Sequence, residues 1–236
     1  IIVVSGDRVE NLALFTAATA LQIPICHMCG GDITEGAFDN QVRHAMTKLS
    51  HWHMVSMPDH ARRVLQMGEE AWRITMTGDA ALDTVAGFQA LSREELQKLE
   101  DIPCDGELVL STFHPQTLGV NDGLQEYRNV LTILAEQTAT PVLTYPNIDT
   151  GFEPLLEQIE AFRTVRPDAI VKKSFTRKGY YSMMAHAQFM IGNSSSGLWE
   201  APSFELPCVN VGGRQDGRLR TSNVIDVDGL DVSALR

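Results

Sequence analysis

The chain has little of what several functional classes require. Its 236 residues carry only 19 Lys and Arg against 30 Asp and Glu, a net charge of -11. Phosphate backbones are held by clustered basic side chains, so this balance excludes a general nucleic-acid surface and leaves any anionic ligand to be held locally. No apolar run approaches the roughly 18 residues that a membrane helix needs, so no segment is expected to span a bilayer. The 4 cysteines are scattered. They suit a reduced, cytoplasmic protein better than a disulfide-stapled secreted one. There is no low-complexity block, no H-E-x-x-H spacing and no calcium-loop pattern of carboxylates. An initiating methionine is also missing: the chain opens as "IIVVSGD", already inside what reads as a buried strand, and a preceding N-terminal segment is expected. On that expectation the lack of a signal peptide says little about the parent protein.

What is there reads as globular, with 44% hydrophobic and 21% charged residues. The length allows one large domain or two modest ones, each with a real core. Short apolar runs rich in β-branched residues alternate with amphipathic stretches, the signature of a parallel sheet covered by helices. "IIVVS" precedes a helical "ENLALFTAATALQ"; then come "IPICHM", a helical "DNQVRHAMTKLS", "HMVSM", a helical "DHARRVLQMG" and "WRITMTGD". After a polar, helix-prone "LSREELQKLEDIPCDGE" the alternation restarts with "LVLSTFHP", a helix over residues 124–138 and "PVLTYPN". A helix over 153–165, "DAIVK", a helix around 180–187, "FMIGNSSSG" and "PCVNVGGRQ" follow. Two α/β parts joined near residues 84–104 are expected. In open parallel sheets ligands sit beyond the carboxyl ends of the strands, and the candidate residues fall there.

The densest stretch runs from Cys26 to His53, with two cysteines, four of the 7 histidines and three carboxylates. Cys26 and Cys29 have C-x-x-C spacing, but a structural zinc site needs a second pair, and Cys104 and Cys208 are far apart. No metal is expected, and Cys26 reads as a small buried hydrophobe at the end of a strand. On the following helix Val42, Met46 and Leu49 form one buried stripe, while Arg43, His44, Thr47 and Lys48 lie off it. His51 and His53 read equally well as polar residues flanking that helix. Asp39 can be an N-cap or can present an oxygen to a ligand, which the glycines of "GGDITEG" would let approach. Asp7, directly after a strand and its glycine, has the same two readings. Asp7, Asp32, Glu35 and Asp39 make a carboxylate cluster, an arrangement that pushes pKa values apart and separates acid from base.

In the second half "MIGNSSSGLWEAPSFELP" runs from a strand into Asn193, three serines and a helix, a pattern suited to a diphosphate at free N–H groups. Glu200 would follow one turn later, where a carboxylate can accept both hydroxyls of a ribose. His114 in "STFHPQT" and Arg214 in "GGRQDGR" add donors from neighbouring strand ends. The residues by themselves support binding of a nucleotide or another phosphate in a cleft between domains.

Taken together, "SGDRVENLA", "IPICHMCGGDITEGAFDNQVRHAMTKLSH", "STFHPQT", "TYPNIDTG" and "IGNSSSGLWEAPSFELPCVNVGGRQDGR" resemble the UDP-N-acetylglucosamine 2-epimerases. The resemblance is stronger to their hydrolysing branch, which serves sialic and related nonulosonic acid synthesis, and it covers nearly the whole chain. It implies an α/β fold similar to GT-B glycosyltransferases: residues 1–88 an incomplete Rossmann-like domain on the sugar side, and 89–236 a Rossmann-like UDP-binding domain. It implies catalytic roles for Asp7, Asp32, Asp39, Arg43 and His44. For UDP it implies Arg8, His114, Ser194, Ser195, Glu200 and Arg214, with His114, Ser194, Ser195 and Arg214 at the phosphates and Glu200 at the ribose. No cofactor is implied. The partner is a UDP-sugar, not nucleic acid or membrane, and a homodimer is the family expectation for the full-length protein.

The implied reaction eliminates UDP across C1 and C2 to give a 2-acetamidoglucal, then adds water to give free N-acetylmannosamine or an analogue. Alternatives are the non-hydrolysing epimerase, a GT-B glycosyltransferase and a non-catalytic UDP-sugar binder. Two departures stand out. Cys29 occupies the place where the family commonly has a catalytic glutamate, so either Asp32, three residues on, substitutes for it or another sugar is preferred. A preceding region that also holds the diphosphate is absent, so this piece alone is expected to be poorly active.

Overall fold

The computed structural model describes residues 1–35, 38–103, 105–118 and 123–236. Of the cysteines weighed above, Cys104 lies outside the described residues. The chain divides into two compact units, Ile1–Thr84 with Asp216–Arg218, and Val85–Gln215 with Leu219–Arg236. Expected to change at residue 88, the chain changes earlier because Val85 and Phe88 pack with Leu96, Tyr181 and Phe204 in the second unit.

In the first unit strands β1 (Ile2–Ser5), β2 (Ile25–Met28), β3 (Trp52–Val55) and β4 (Ile74–Met76) form a sheet in sequential order. All of its pairings among the described residues are parallel, with Val4 beside His27 and His27 beside His53. Parallel neighbours need crossovers, and the expected helices supply them: α1 (Val9–Ala20), α2 (Asp39–Lys48) and α3 (Pro58–Gln66). A short α4 (Ala80–Val85) leads out of the unit. The core joins Phe15 and Ala18 of α1, Ile25 of β2, and Val42 and Met46 of α2, with Ile2, Val4 and Leu49 packed against it.

The apolar stripe of α2 is therefore as expected, but the helix buries more than that stripe. Arg43 and Thr47, placed off it by their polarity, are 1% and 0% exposed. They lie on a second buried face that is polar because it meets strand ends and loops rather than aliphatic side chains. His53 is likewise not on a helix flank: it is a fully buried residue of β3, whereas His51 is exposed.

In the second unit α5 (Arg93–Glu100) starts with a capping box between Ser92 and Glu95, the local chemistry its polar sequence announces. Then come β5 (Leu108–Thr112), α6 (Leu124–Glu136), β6 (Thr140–Thr144), α7 (Glu153–Val165), β7 (Ile170–Lys172), α8 (Arg177–His186), β8 (Phe189–Gly192), the one-turn α9 (Ser196–Trp199), β9 (Cys208–Val211), β10 (Val224–Val227) and α10 (Val232–Leu235). The sheet order is β10-β9-β8-β5-β6-β7, and every pairing among the described residues is parallel.

Successive residues of the central strands enter opposite cores. Leu108 and Leu110 of β5, Val142 of β6 and Met190 of β8 belong to one cluster, and Val109, Leu143 and Ile191 to the other. A sheet buried on both faces explains why "LVLST" and "PVLT" read as continuous apolar runs. The chain runs from β5 outward through β6 to β7, then returns to place β8 on the other side of β5. The strand order thus reverses between β5 and β8, the position where open α/β sheets form a ligand crevice.

Candidate functional site

In the first unit the polar groups gather at the carboxyl ends of β1 and β2. Gly6 turns the chain out of β1 with φ of 85°, and Asp7 follows. Its carboxylate does not cap α1, whose N-cap is Arg8; it takes an ion pair from the guanidinium of Arg43. Arg43 also donates to the backbone oxygen of Asp32 (3.0 Å) and to Thr34 Oγ1 (3.1 Å). Its side chain is 2% exposed and that of Asp7 25%. Asp7 is thus the partner that reaches solvent. Breaking so buried a pair costs about 3–5 kcal/mol, since the remaining charge is left uncompensated.

Asp32 is held from three sides. Its Oδ1 accepts the N–H of Ile33 (2.8 Å) and lies 3.4 Å from His60 Nε2, while its Oδ2 is 3.2 Å from Arg218. Arg218 also donates to Thr34 Oγ1 (3.0 Å). Burial pulls the Arg218 pKa down from its ordinary value, with Asp32, Asp7 and Asp39 acting the other way. Asp39 is the first residue of α2, with Phe38 at the N-cap, and belongs to the same charge cluster.

Under this cluster His27 ties the elements together, its Nε2 donating to the backbone oxygen of Gly6 (2.8 Å) and its Nδ1 facing Thr47 Oγ1 (3.1 Å). Burial drops its pKa to about 4, so the ring is neutral near pH 7. A neutral ring with its hydrogen on Nε2 satisfies the carbonyl and leaves Nδ1 facing the Thr47 hydroxyl, which also donates to the backbone oxygen of Arg43 (2.9 Å).

Of the expected catalytic residues, Asp7, Asp32, Asp39 and Arg43 come together. His44 does not join their hydrogen bonds; half-buried, it has its pKa lowered by burial and by Arg43 and Arg63. Arg8 is exposed, paired with Glu10 at 3.5 Å. Cys29 is half-buried with φ of 65°, and burial raises its thiol pKa, the opposite of an activated nucleophile. The sequence reading passed over Arg218, His60 and His27. The "GGRQDGR" repeat of arginines was the available signal for Arg218.

In the second unit the groups sit where the strand order reverses. Gly192 ends β8 with φ of 148°, and a side chain there would run into the backbone oxygen of Thr112 at the end of β5. That close approach needs glycine. The fully buried Asn193 then stitches the two strand ends together: its Oδ1 accepts the N–H of His114 (2.7 Å) and its Nδ2 donates to the oxygen of His114 (2.9 Å).

His114 Nδ1 accepts the N–H of Asn147 (3.0 Å). Burial first, and then the Arg214 charge, lower its pKa to about 3. The ring is neutral with its hydrogen on Nε2, a donor that carries no charge. Arg214, on the turn after β9, donates to the oxygen of Asn193 (3.1 Å). Ser194 Oγ lies 3.0 Å from Ser196 Oγ, which is 2.8 Å from Tyr180 Oη, a phenol whose pKa burial raises to about 12. Ser195 is the N-cap of α9, without a side-chain capping bond, and α9 lasts only one turn before Pro202 enters a 3₁₀ turn at Ala201–Phe204. The longer helix expected from "SGLWEA" is thus cut short.

His114 and Glu200 line a cavity of 410 Å³ with Thr112, Thr144, Tyr145 and the segment from Lys173 to Arg177. The expected residues His114, Ser194, Ser195, Glu200 and Arg214 therefore lie on neighbouring strand ends, β5, β8 and β9. Asn193 belongs to the motif the sequence shows, whereas nothing in the sequence marks Tyr180 as a contributor. Among the described residues no group of three or more His, Cys, Asp and Glu is placed to hold a metal ion, and no helix is long and apolar enough to cross a membrane.

Residues 1–232 match the family model described as UDP-N-acetylglucosamine 2-epimerase. A Campylobacter jejuni protein named GDP/UDP-N,N'-diacetylbacillosamine 2-epimerase (hydrolyzing) is 37% identical over 98% of this chain and 61% of its own length. A Legionella pneumophila protein named UDP-N,N'-diacetylbacillosamine 2-epimerase (hydrolyzing) is 35% identical over 97% of this chain and 60% of its own. The chain thus spans about 60% of the length of these relatives. The Methanocaldococcus jannaschii UDP-GlcNAc 2-epimerase solved with UDP-GlcNAc and UDP has a TM-score of 0.74 at 15% identity, over 99% of this chain and 66% of that one. The Neisseria meningitidis enzyme bound to UDP-GlcNAc gives 0.69 at 17%, over 88% and 58%. At such identities these two establish the fold alone, an α/β fold of the GT-B-like kind. With its residues 1–232 matched by the family model, the chain belongs to the UDP-N-acetylglucosamine 2-epimerase family.

Proposed function

We propose that the protein is a hydrolysing 2-epimerase of a UDP-linked 2-acetamido sugar, UDP-GlcNAc or a diacetamido relative, working without a metal or nicotinamide. The observation that carries this reading is a contrast within one chain of the family. One unit holds a carboxylate and arginine cluster suited to proton transfer, and the other a cavity in which the neutral His114 sits with the cations Lys173 and Arg177, suited to a nucleoside diphosphate. The hydrolysing relatives named above support the branch.

In the proposed reaction a carboxylate takes the C2 proton as the C1–O bond breaks and UDP departs with the electron pair, leaving a 2-acetamidoglucal. Water then adds its oxygen to C1 while a proton is delivered to C2 on the opposite face, giving free sugar of inverted configuration. Asp7 is the best-suited group for this transfer, since it meets solvent while Arg43 fixes its orientation. Asp39 is assigned beside it, Asp32 orients Arg218, and His44 flanks the cluster. Charge developing on UDP would be met by the Nε2–H of His114, Arg214, and the hydroxyls and N–H groups of Ser194 and Ser195. Glu200 would accept from the ribose hydroxyls in the cavity it lines with His114. Arg8, an exposed cation, is assigned to UDP. We further assign the protein to the cytoplasm and to a nonulosonic or sialic acid route, acting as a homodimer.

The test is turnover of UDP-GlcNAc and of UDP-N,N'-diacetylbacillosamine by the intact protein in deuterated water. The expected products are UDP and a free sugar that is deuterated at C2 and inverted there. A UDP-linked epimer as the lasting product would move the protein to the non-hydrolysing branch. Binding without consumption of either sugar would make it a sensor.

A further inference from the structure

One wall of the 410 Å³ cavity is the segment from Lys173 to Arg177, between the end of β7 and the start of α8. Such a connection has no regular structure of its own to hold it. It is held by Glu100, the last residue of α5, which does not line the cavity and is only 4% exposed.

Glu100 grips the segment at both ends. At its start the ammonium of Lys172 donates to the Glu100 backbone oxygen (2.7 Å) and lies 3.2 Å from Oε2. At its end Oε1 accepts both the N–H (2.9 Å) and the hydroxyl (2.6 Å) of Thr176. Thr176 can give its hydroxyl hydrogen to Glu100 because it uses a lone pair to accept the N–H of Gly179 (3.0 Å), as the N-cap of α8. The carboxylate lies against the first turn of that helix, in the space a side chain at Gly179 would fill. A negative charge there also suits the positive end of the helix. Between the two grips Phe175 lies beneath the Lys172 ammonium at 5.6 Å and against Tyr180 at 5.8 Å, two rings that line the cavity.

We propose that Glu100 is a positioning residue for nucleotide binding: by clamping Lys172 and Thr176 it fixes the cavity wall that receives the uridine of the UDP-sugar. The assignment of that ligand rests on the function proposed above. The uridine is remote from C1 and C2 of the sugar, so loosening this wall weakens binding without slowing the chemical steps.

The experiment compares wild type and Glu100→Gln, with Lys172→Met as a second variant. UDP affinity is measured by calorimetry, KM and kcat by turnover, and amide hydrogen exchange is followed over residues 173–179. Glutamine keeps the length of the side chain but loses the charge and one acceptor. Losing a charge-assisted hydrogen bond is expected to raise the UDP Kd and KM about tenfold while kcat stays within about twofold. Exchange at Thr176 should quicken, and Lys172→Met should shift binding in the same direction by less.

Mere destabilisation would lower the active fraction and so the apparent kcat with KM unchanged, and that outcome overturns the proposal. Unchanged UDP affinity in Glu100→Gln overturns it as well. If wild type itself fails to bind UDP, the functional reading falls first. Exchange at Thr176 then judges the clamp, and protection equal in wild type and Glu100→Gln refutes it.

Discussion

The two units use the same parallel α/β layout, yet they prepare their strand ends in opposite ways. The first gathers charge: Asp7, Asp32 and Asp39 face Arg43 and Arg218, with Asp32 and Arg43 buried and the other three half-buried. The second gathers donors that are mostly neutral: His114 with its one ring hydrogen on Nε2, a chain of hydroxyls through Ser194, Ser196 and Tyr180, and Asn193 stitching two strands, with Arg214 as the cation beside them. Paired carboxylates and arginines suit the movement of protons, because small changes in environment decide which oxygen carries the hydrogen. Fixed neutral dipoles suit a dianionic leaving group, because they stabilise charge without needing to move. Strand order matches this division, since the order reverses only in the second sheet among the described residues.

The largest way to break the comparison is to remove the cation that organises the first cluster. Arg43→Met should lower the unfolding free energy by about 3–5 kcal/mol, because Asp7 and the Asp32 carbonyl lose a buried partner. Urea unfolding followed by circular dichroism measures it. A loss below about 1 kcal/mol would mean that water already screens the pair.

A smaller effect concerns what the two regions share, a buried neutral histidine. His27 with a pKa of about 4 and His114 at about 3 both lie below the ordinary value of 6.5. The unfolded chain binds these protons between pH 6.5 and the folded pKa, and the folded one does not. Stability is therefore full above about pH 6.5 and is lost as pH falls toward 4 for His27 and 3 for His114. Their shifts correspond to at most about 3 kcal/mol for His27 and somewhat more for His114. Urea midpoints taken from pH 7 to 4 should fall steadily, and a flat profile would show that these rings are hydrated.

Much of this was legible in the sequence where a residue's type and its neighbours decide its environment. "LVLST" could be read as a central strand because every residue is apolar or small, and Val42, Met46 and Leu49 as a stripe because helical period sets it. Arg43 and Thr47 read as exposed because they are polar, whereas their face meets carbonyls and carboxylates. Arg218 escaped because its partner Thr34 is 184 residues away, and nothing local marks such a contact. β10 and the one-turn α9 were missed or overextended because "NVIDV" lies beyond the last recognised strand and Pro202 acts only once the chain has turned. Asn193 was visible, but its role needed the return of β8 beside β5.

The most direct test of the division of labour is one pair of variants read two ways, Asp7→Asn and Glu200→Gln in the intact protein, each measured for kcat and for UDP Kd. Asp7→Asn is expected to lower kcat by roughly 10² to 10⁴-fold, with UDP Kd changed less than about threefold. Glu200→Gln is expected to do the reverse, weakening UDP about tenfold, the worth of a charge-assisted hydrogen bond, with kcat nearly intact. If Asp7→Asn loosens UDP as much as it slows turnover, or Glu200→Gln leaves UDP affinity untouched, the separation of proton chemistry from nucleotide binding between the two units is wrong.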